Sequence, residues 1–357
     1  MMVEPGDAPQ LAAGVQRADD RGRRHRGEAR AARRGRAGGI GGMTAPILVG
    51  GEALYDLVLA ESGALTGHAG GGPFNVARTI GRLGQPVAYL GRLSTDQLGA
   101  THEQMLADDG VDLGAVVRTS DPTTLALASL DSTGAASWSF YSARTAAAGL
   151  TRDEALAALP ERIAALHVGT LGLVLEPLAS AIEAVVEHLA GTTPIVLDPN
   201  VRPQVITGAP AFRARLERVL ALSDVVKVSE EDLAWLDPGR SRPAAARALL
   251  ERGPSAALLT RGSDGATVVT AAGDTPIAPV TTTLVDTIGA GDAFGGAFLA
   301  WWVSHGLGRA ELARGERVAE AARFAAVVAA RTVARAGASP PQLPAEAAGR
   351  SLDIASV

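Results

Sequence analysis

The chain contains no cysteine. Disulfides, thiolate metal sites and cysteine nucleophiles are therefore excluded, and a reducing, cytoplasmic setting is compatible with that lack. Lysine is almost missing as well: of the 33 Lys and Arg residues, Lys227 is the sole lysine. No Gly-Lys-Ser/Thr string exists, so a Walker-type phosphate loop is excluded. Any phosphoryl chemistry must rely on backbone amides, Mg2+ and arginine. The six histidines are scattered and form no HExxH, and no protein-kinase catalytic-loop string occurs. The first apolar run is followed by GGEALYD rather than GxGxxG, which argues against a dinucleotide oxidoreductase. The apolar runs fall short of the ~20 residues a membrane helix needs.

What is present is an ordinary globular composition, 47% hydrophobic and 20% charged over 357 residues, long enough for a large core. Charge is uneven. Residues 1–42 carry nine Arg against five acids, near +4, which leaves about −9 on residues 43–357 given the total of −5. So acidic a body disfavours non-specific nucleic-acid binding. The head, RGRRHRGEARAARRGRAGG, lacks apolar periodicity and reads as a disordered extension. It has no apolar core of a secretory signal, and Met43 reads as an alternative start.

From Pro46 the pattern becomes regular. Ile47-Leu48-Val49 reads as a buried strand, Leu54 to Leu59 as a second, and Val87 to Leu90 as another. A helical pattern follows Pro73-Phe74-Asn75 through Leu83, with Gly84 as its stop. Residues 116–141 alternate, most clearly in Ser137-Trp138-Ser139-Phe140-Tyr141, and predict a small antiparallel sheet. Beyond Leu150, strands near 163–168, 194–198, 224–228 and 256–260 alternate with helical segments near 176–190, 210–222, 230–236 and 243–252. That alternation predicts a parallel sheet covered on both faces. A hairpin near 268–280 and two Ala-rich helices, about 290–305 and 309–331, complete it. The expected fold class is α/β: a three-layer α/β/α arrangement on a mainly parallel sheet, with a small β-sheet appended.

Ligands of such sheets bind beyond the C-terminal strand ends. Asp198-Pro199-Asn200, Lys227-Val228-Ser229-Glu230, Thr260-Arg261-Gly262 and the turn at Gly289 occupy such places. The stretch DTIGAGDAF, residues 286–294, is the most informative. Gly289-Ala290-Gly291 leads into Asp292 and an apolar helix. A helix start offers unpaired N–H groups and a positive dipole end, and glycines let an anion approach. A carboxylate beside that hole is a minimal apparatus for phosphoryl transfer to a hydroxyl. Read alone, the string is equally a tight turn before an N-terminal Asp. Gly70-Gly71-Gly72-Pro73-Phe74-Asn75 can admit a polyol or form a plain loop and cap. Asp56 interrupts an apolar strand, which is costly unless it is paired or faces a cleft. Thr260 to Gly265 suits a nucleotide or a simple hairpin turn.

In this order, the strings resemble the ribokinase-like carbohydrate kinases (PfkB sugar kinases) over about residues 46–338. Two signatures carry the resemblance: Gly70-Gly71…Asn75-Val76-Ala77 with Gly84, and Asp286 to Phe298. LDPNVRP (197–203) and VKVSEEDLAWL (226–236) are similar to the fructokinase branch.

The resemblance implies an ATP-dependent kinase acting on a primary hydroxyl, fructose to fructose 6-phosphate. Ribose, 2-keto-3-deoxygluconate or nucleoside kinases of the same fold are the alternatives, and a non-catalytic sugar-binding regulator is the alternative of another class. It implies Asp292 as catalytic base and Gly289, Ala290 and Gly291 as anion-hole amides. Asp56, Gly70, Gly71, Asn75 and, from the lid, Arg144 would hold sugar. Thr260, Gly262 and Gly265 would line the ATP site, with Arg202, Lys227 and Ser229 near the phosphates. Asp286 with carbonyls of Ile288 and near Gly337 would bind K+, and Asp232 would help to organise Mg2+. Ser229 departs from the family's usual Asn there, and Ser94 stands where many members have Gly. The resemblance sets a kinase domain at 43–340, a lid at about 57–69 and 116–145 able to mediate a homodimer, and a C-terminal tail at 341–357.

Overall fold

The computed structural model describes residues 45–130 and 136–357. The Arg-rich head and the start at Met43 lie outside the described residues. β1 (Ile47–Gly50) is buried along its whole length, because neighbouring side chains feed two different cores. Ile47 and Val49 join one, with Phe74 and Phe298. Leu48 joins the other, with Ile182 and Val185. A strand wet on neither face must read as a continuous apolar run.

The remaining strands of the large sheet are β4 (Val87–Ser94), β5 (Val116–Thr119), β8 (Ala165–Gly169), β9 (Ile195–Asp198), β10 (Val225–Ser229), β11 (Ala256–Thr260), β12 (Ala266–Thr270) and β13 (Gly273–Ile277). Their order is β13-β12-β11-β10-β9-β8-β1-β4-β5. All pairings are parallel except β11 with β12 and β12 with β13. One face is covered by α1 (Gly72–Arg82), α2 (Gln97–Asp108), α8 (Ala290–Ser304) and α9 (Gly315–Val333), and the other by α3 (Arg152–Ala157), α4 (Leu178–Leu189), α5 (Ala209–Leu222), α6 (Glu230–Leu236) and α7 (Arg242–Leu250). α8 is buried from Ala293 to Trp302, as an all-round apolar helix must be. The expected three-layer α/β/α class is what is found.

A second sheet, β3-β2-β6-β7, comprises β2 (Leu54–Leu59), β3 (Leu65–Gly70), β6 (Thr124–Leu130) and β7 (Ala136–Tyr141). Two of its pairings are antiparallel, but β2 and β6 run parallel. Residues 116–119, expected in this sheet, pair with β4 in the large one, Gly91 opposite Val116. The cause lies just upstream. Asp112 donates to the Val87 carbonyl (2.8 Å) and accepts from Tyr89 N–H (3.1 Å), so the chain is already in register with β4.

α9 starts at Gly315, later than the pattern near 309 suggests, because Arg309 donates to Asp224 Oδ1 (2.8 Å) and the Gly191 carbonyl (2.7 Å). The segment after residue 340 lies along α1. Leu343 and Leu352 are buried in the core, and Leu343 N–H donates to the Arg82 carbonyl at 2.9 Å.

Candidate active site

α8 begins at the C-terminal edge of the large sheet with Gly289 in the left-handed region, φ 75°. A Cβ there would stand 2.6 Å from Ala338 Cβ, so both conformation and space require glycine. The first turn closes through Ala293 N–H to the Gly289 carbonyl, 2.8 Å. The amide of Ala290, expected in the anion hole, instead donates to the Thr287 carbonyl at 3.3 Å. The tight 287–290 turn draws it inward. The amides of Gly289, Gly291 and Asp292 have no acceptor among the described residues. They are the donors the helix start leaves for an anion.

Asp292 Oδ2 accepts from Asn75 Nδ2 at 2.9 Å, across 217 residues of sequence. Burial pushes the Asp292 carboxyl up to about 6, against the pull of Asn75, and the charge of Asp198 adds to the rise. Lys227 and Arg202 act the other way. Burial thus outweighs the groups that favour the ionised form. The carboxylate is still mostly ionised at neutral pH and is a stronger base than an ordinary aspartate. Asn75 sits one turn into α1, whose start needs Gly71 at φ 110°. Its Oδ1 is buried and unpartnered, an acceptor facing the same cleft.

Asp56 lies on β2 of the small sheet opposite His68. Burial raises it to about 6, while Arg202 and His68 pull it down. A Cβ on Gly70 would be 2.3 Å from Asp56 Oδ2, so the glycine makes room for this carboxylate. After β8 and β9 stand Thr170 (φ 53°) and Asn200 (φ 39°), two non-glycine residues in the left-handed region. Asn200 Nδ2 donates to Thr170 Oγ1 at 3.4 Å. Strained backbone of this kind persists where the surroundings over-determine it, commonly at binding sites. Asn75 and Asn200 are the chain's only asparagines.

Beneath the anion hole, Lys227 Nζ donates to Asp198 Oδ2 at 2.7 Å, both residues buried. Burial, the largest single cause, would lower the ammonium, but Asp198, with Asp232 and Asp292, outweighs it and the net direction is upward. A Cβ on Gly291 would lie 3.1 Å from Lys227 Nζ. Arg202 donates to the Asn200 and Val201 carbonyls, each at 3.2 Å, and its charge acts on Asp56 and Asp292. Its charge thus favours the ionised form of both carboxylates.

Ser229 and Asp232 form the capping box of α6: Asp232 N–H donates to Ser229 Oγ at 3.0 Å, and Ser229 N–H to Asp232 Oδ2 at 2.9 Å. Asp232 Oδ1 accepts from Val201 N–H at 2.7 Å. Both carboxylate oxygens are engaged and buried, so Asp232 does not fit a directly bound Mg2+. It braces the 199–203 loop. Asp286 Oδ1 accepts from Ile288 N–H (2.9 Å) and its Oδ2 from Gly337 N–H (2.8 Å). One carboxylate thus ties together the two backbone segments from which the resemblance draws K+ ligands, but both of its oxygens are engaged, as those of Asp232 are, and the Gly337 carbonyl accepts from Ser339 N–H at 2.8 Å. Thr260 Oγ1 donates to the Val228 carbonyl at 3.3 Å. Gly262 (φ 54°) and Gly265 (φ 82°) form the turn that follows. Arg144 is exposed at the end of β7 with φ 56°.

Sequence reading missed Glu52, Thr170 and His167 as parts of the site, and placed Asp198 at a strand end without giving it a role. Glu52 follows β1, the first parallel strand, a signal that was available. Thr170 and His167 carry no local sign, since only the assembled sheet brings them to the cleft.

Comparison with known proteins bears on this geometry. The family model "pfkB family carbohydrate kinase" matches residues 45–346. The chain is 36% identical over 259 residues to the fructokinase of Rhizobium leguminosarum bv. trifolii, spanning 71% of this chain and 78% of that one. It is 33% identical over 307 residues to fructokinase-1 of Zea mays, 83% and 94% of the two chains. Among solved structures, the Xylella fastidiosa fructokinase with bound ATP superposes with a TM-score of 0.74 at 28% identity, covering 82% of this chain and 93% of that one. The Vibrio cholerae O395 fructokinase with fructose, ADP and calcium gives 0.70 at 26% identity, covering 82% and 94%.

Proposed function

The chain belongs to the pfkB family of carbohydrate kinases, and from that premise we propose that it transfers the γ-phosphate of ATP to the primary 6-hydroxyl of fructose. It is a kinase of a sugar hydroxyl; fructose is the acceptor favoured by the fructokinase relatives. The single observation that carries the reading is the Asp292–Asn75 hydrogen bond of 2.9 Å at the open start of α8. It brings a basic carboxylate, a sugar-side amide and unpaired main-chain donors into one place.

Asn75 fixes one oxygen of Asp292 and leaves the other to accept the hydroxyl proton. Asp56, Asn75 and the Gly70-Gly71 edge hold the remaining hydroxyls, and Arg144 reaches the sugar from the small sheet, which acts as a lid. The amides of Gly289 and Gly291, with Lys227 beneath, receive the charge of the transferred phosphoryl group. Thr260, Gly262 and Gly265 line the nucleotide, and Ser229 approaches it from the α6 start. Because the transition state of phosphoryl transfer is loose, most acceleration comes from positioning and from these donors. Mg2+ bound with the nucleotide would offset phosphate charge, and Asp232 would give it no open ligand. A K+ ion near the Asp286 and Ile288 loop would add positive charge close to the anion hole.

The same reading includes a cytoplasmic setting, where ATP is supplied, and no nucleic-acid or membrane partner; no described helix is long and apolar enough to cross a membrane. A homodimer through the lid is supported by exposed Leu65, Trp138 and Tyr141 on the small sheet.

The test is ADP release over a panel of ketohexoses, pentoses, sugar acids and nucleosides, with and without K+. Fructose giving the highest kcat/KM supports the reading. A nucleoside or sugar acid preferred instead would move the chain to another branch. Sugar binding with no sugar-dependent ADP release would make it a regulator.

A further inference from the structure

Glu52 has no task in the scheme above, yet it lies at the heart of the site. It follows β1, is 0% exposed, and its two oxygens accept from different elements. Oε1 accepts from Gly72 N–H (3.3 Å), at the start of α1; Oε2 accepts from Gly172 N–H (3.0 Å), in the turn after β8. The loop carrying it is itself held, because Tyr89 Oη donates to the Gly51 carbonyl at 2.8 Å.

The junction that Glu52 closes is the one that shapes the acceptor pocket. A Cβ on Gly72 would lie 2.5 Å from Thr170 Oγ1 and 3.5 Å from Asp292 Oδ1. The Gly71 position is as tight, 2.7 Å from the Glu52 carbonyl oxygen. One turn along α1, Asn75 grips Asp292. No hydrogen bond links the start of α1 directly to residues 170–173 among the described residues. Their spacing depends on packing and on this one side chain.

We propose that Glu52 is a positioning residue for phosphoryl transfer. By tying the start of α1 to the turn after β8, it sets the separation of Asn75, Thr170 and Asp292 around the sugar hydroxyl. The inference rests on the kinase reading above. A slack junction lets the acceptor drift from the attacking line, and misplacement on the order of 1 Å costs about a hundredfold. The nucleotide side, built from α8, β10 and β11, is untouched. The consequence is selective: the acceptor is misaligned while ATP still binds, and water gains access to the phosphoryl group.

The experiment is Glu52→Gln in the full chain. Burial lifts the Glu52 carboxyl to about 8, so the comparison is made near pH 9, where it is ionised; there glutamine keeps the size but offers one acceptor oxygen and one NH2, so it cannot accept from both Gly72 and Gly172. Steady-state kinetics with fructose and with ATP, the ratio of ADP released to sugar phosphate formed, and the thermal midpoint are measured together. The expected result is a kcat/KM for fructose lowered by about 10- to 100-fold, with the KM for ATP within about twofold. ADP release should also exceed sugar phosphate formation. A lowered midpoint with both KM values, kcat and the ratio unchanged would make Glu52 merely structural and overturn the proposal. If Glu52→Gln does not fold, Gly72→Ala wedges the same junction from its other side. The same split then supports the proposal, and an unchanged or uniform effect overturns it. Absence of sugar-dependent ADP release from the wild-type chain would instead be the failure of the kinase reading, visible before any variant is made.

Discussion

At the residue scale, the two carboxylates of the acceptor pocket share one electrostatic fate. Burial is the leading cause of the rise of both Asp56 and Asp292 to about 6. Asp292 must be ionised to accept the hydroxyl proton, and Asp56 is the stronger hydrogen-bond acceptor when ionised. The kcat/KM for sugar should therefore fall as pH drops through about 6, and a pH–rate profile on the free enzyme checks this; a limb near pH 4 would show that burial does not govern them. Gly70 is tied to the same pocket. Gly70→Ala puts a methyl group 2.3 Å from Asp56 Oδ2, so that carboxylate must swing away. The KM for sugar should rise about tenfold or more while the KM for ATP stays put. Asp292 was legible in the sequence because its chemistry is local: a glycine turn, a helix start, an acid. Its Asn75 partner was legible only as a separate motif, since no local pattern joins residues 217 positions apart. The unpartnered imidazole of His167, held neutral by burial and pushed down to about 3, lies outside any local pattern too.

At the scale of elements, helix starts do the positioning. α1, α6 and α8 each begin at the C-terminal edge of the sheet, and between them they use two devices. α1 and α8 use glycines with positive φ, which bring a neighbouring backbone close. α6 uses the reciprocal Ser229–Asp232 cap. That cap was read from sequence as a departure in metal handling, because the string alone does not say that Asp232 turns inward to Val201. The two readings separate cleanly. As a cap, Ser229→Ala should destabilise by about 1 kcal/mol in denaturant unfolding and leave the Mg2+ dependence of kcat unchanged. A shifted Mg2+ dependence at unaltered stability would restore the metal role. Apolar strand runs were legible for a related reason: burial on both faces leaves a sequence little choice. The parallel pairing of β2 with β6 was not, since it joins residues 54 and 124 through register that only the assembled fold supplies.

At the scale of the molecule, the site concentrates buried acids at one edge of a nine-stranded sheet, and this shapes stability as well as chemistry. Burial lifts Glu52 from 4.5 to about 8. Its folded value lies above its unfolded one, so its contribution to stability is complete below about pH 4.5 and is lost as pH rises through 8. Asp56 and Asp292 act the same way through about pH 6. The wild-type thermal midpoint should therefore decline between about pH 4.5 and 8 and level off above it. Glu52→Gln should show a flatter decline over that window, and parallel curves for the two proteins would contradict the assignment. Three-layer class, strand order along the chain and the late hairpin followed from rhythm and burial. The division of residues 116–145 between two sheets did not, because Asp112 had already committed the chain to the edge of β4.

The account turns on Asp292 accepting the hydroxyl proton beside an anion held by main-chain amides. Asp292→Asn keeps shape and volume and removes the base. With fructose and ATP, the account predicts kcat lowered by about 10²- to 10⁴-fold and ATP binding within about twofold of wild type. Turnover within about tenfold of wild type would contradict it.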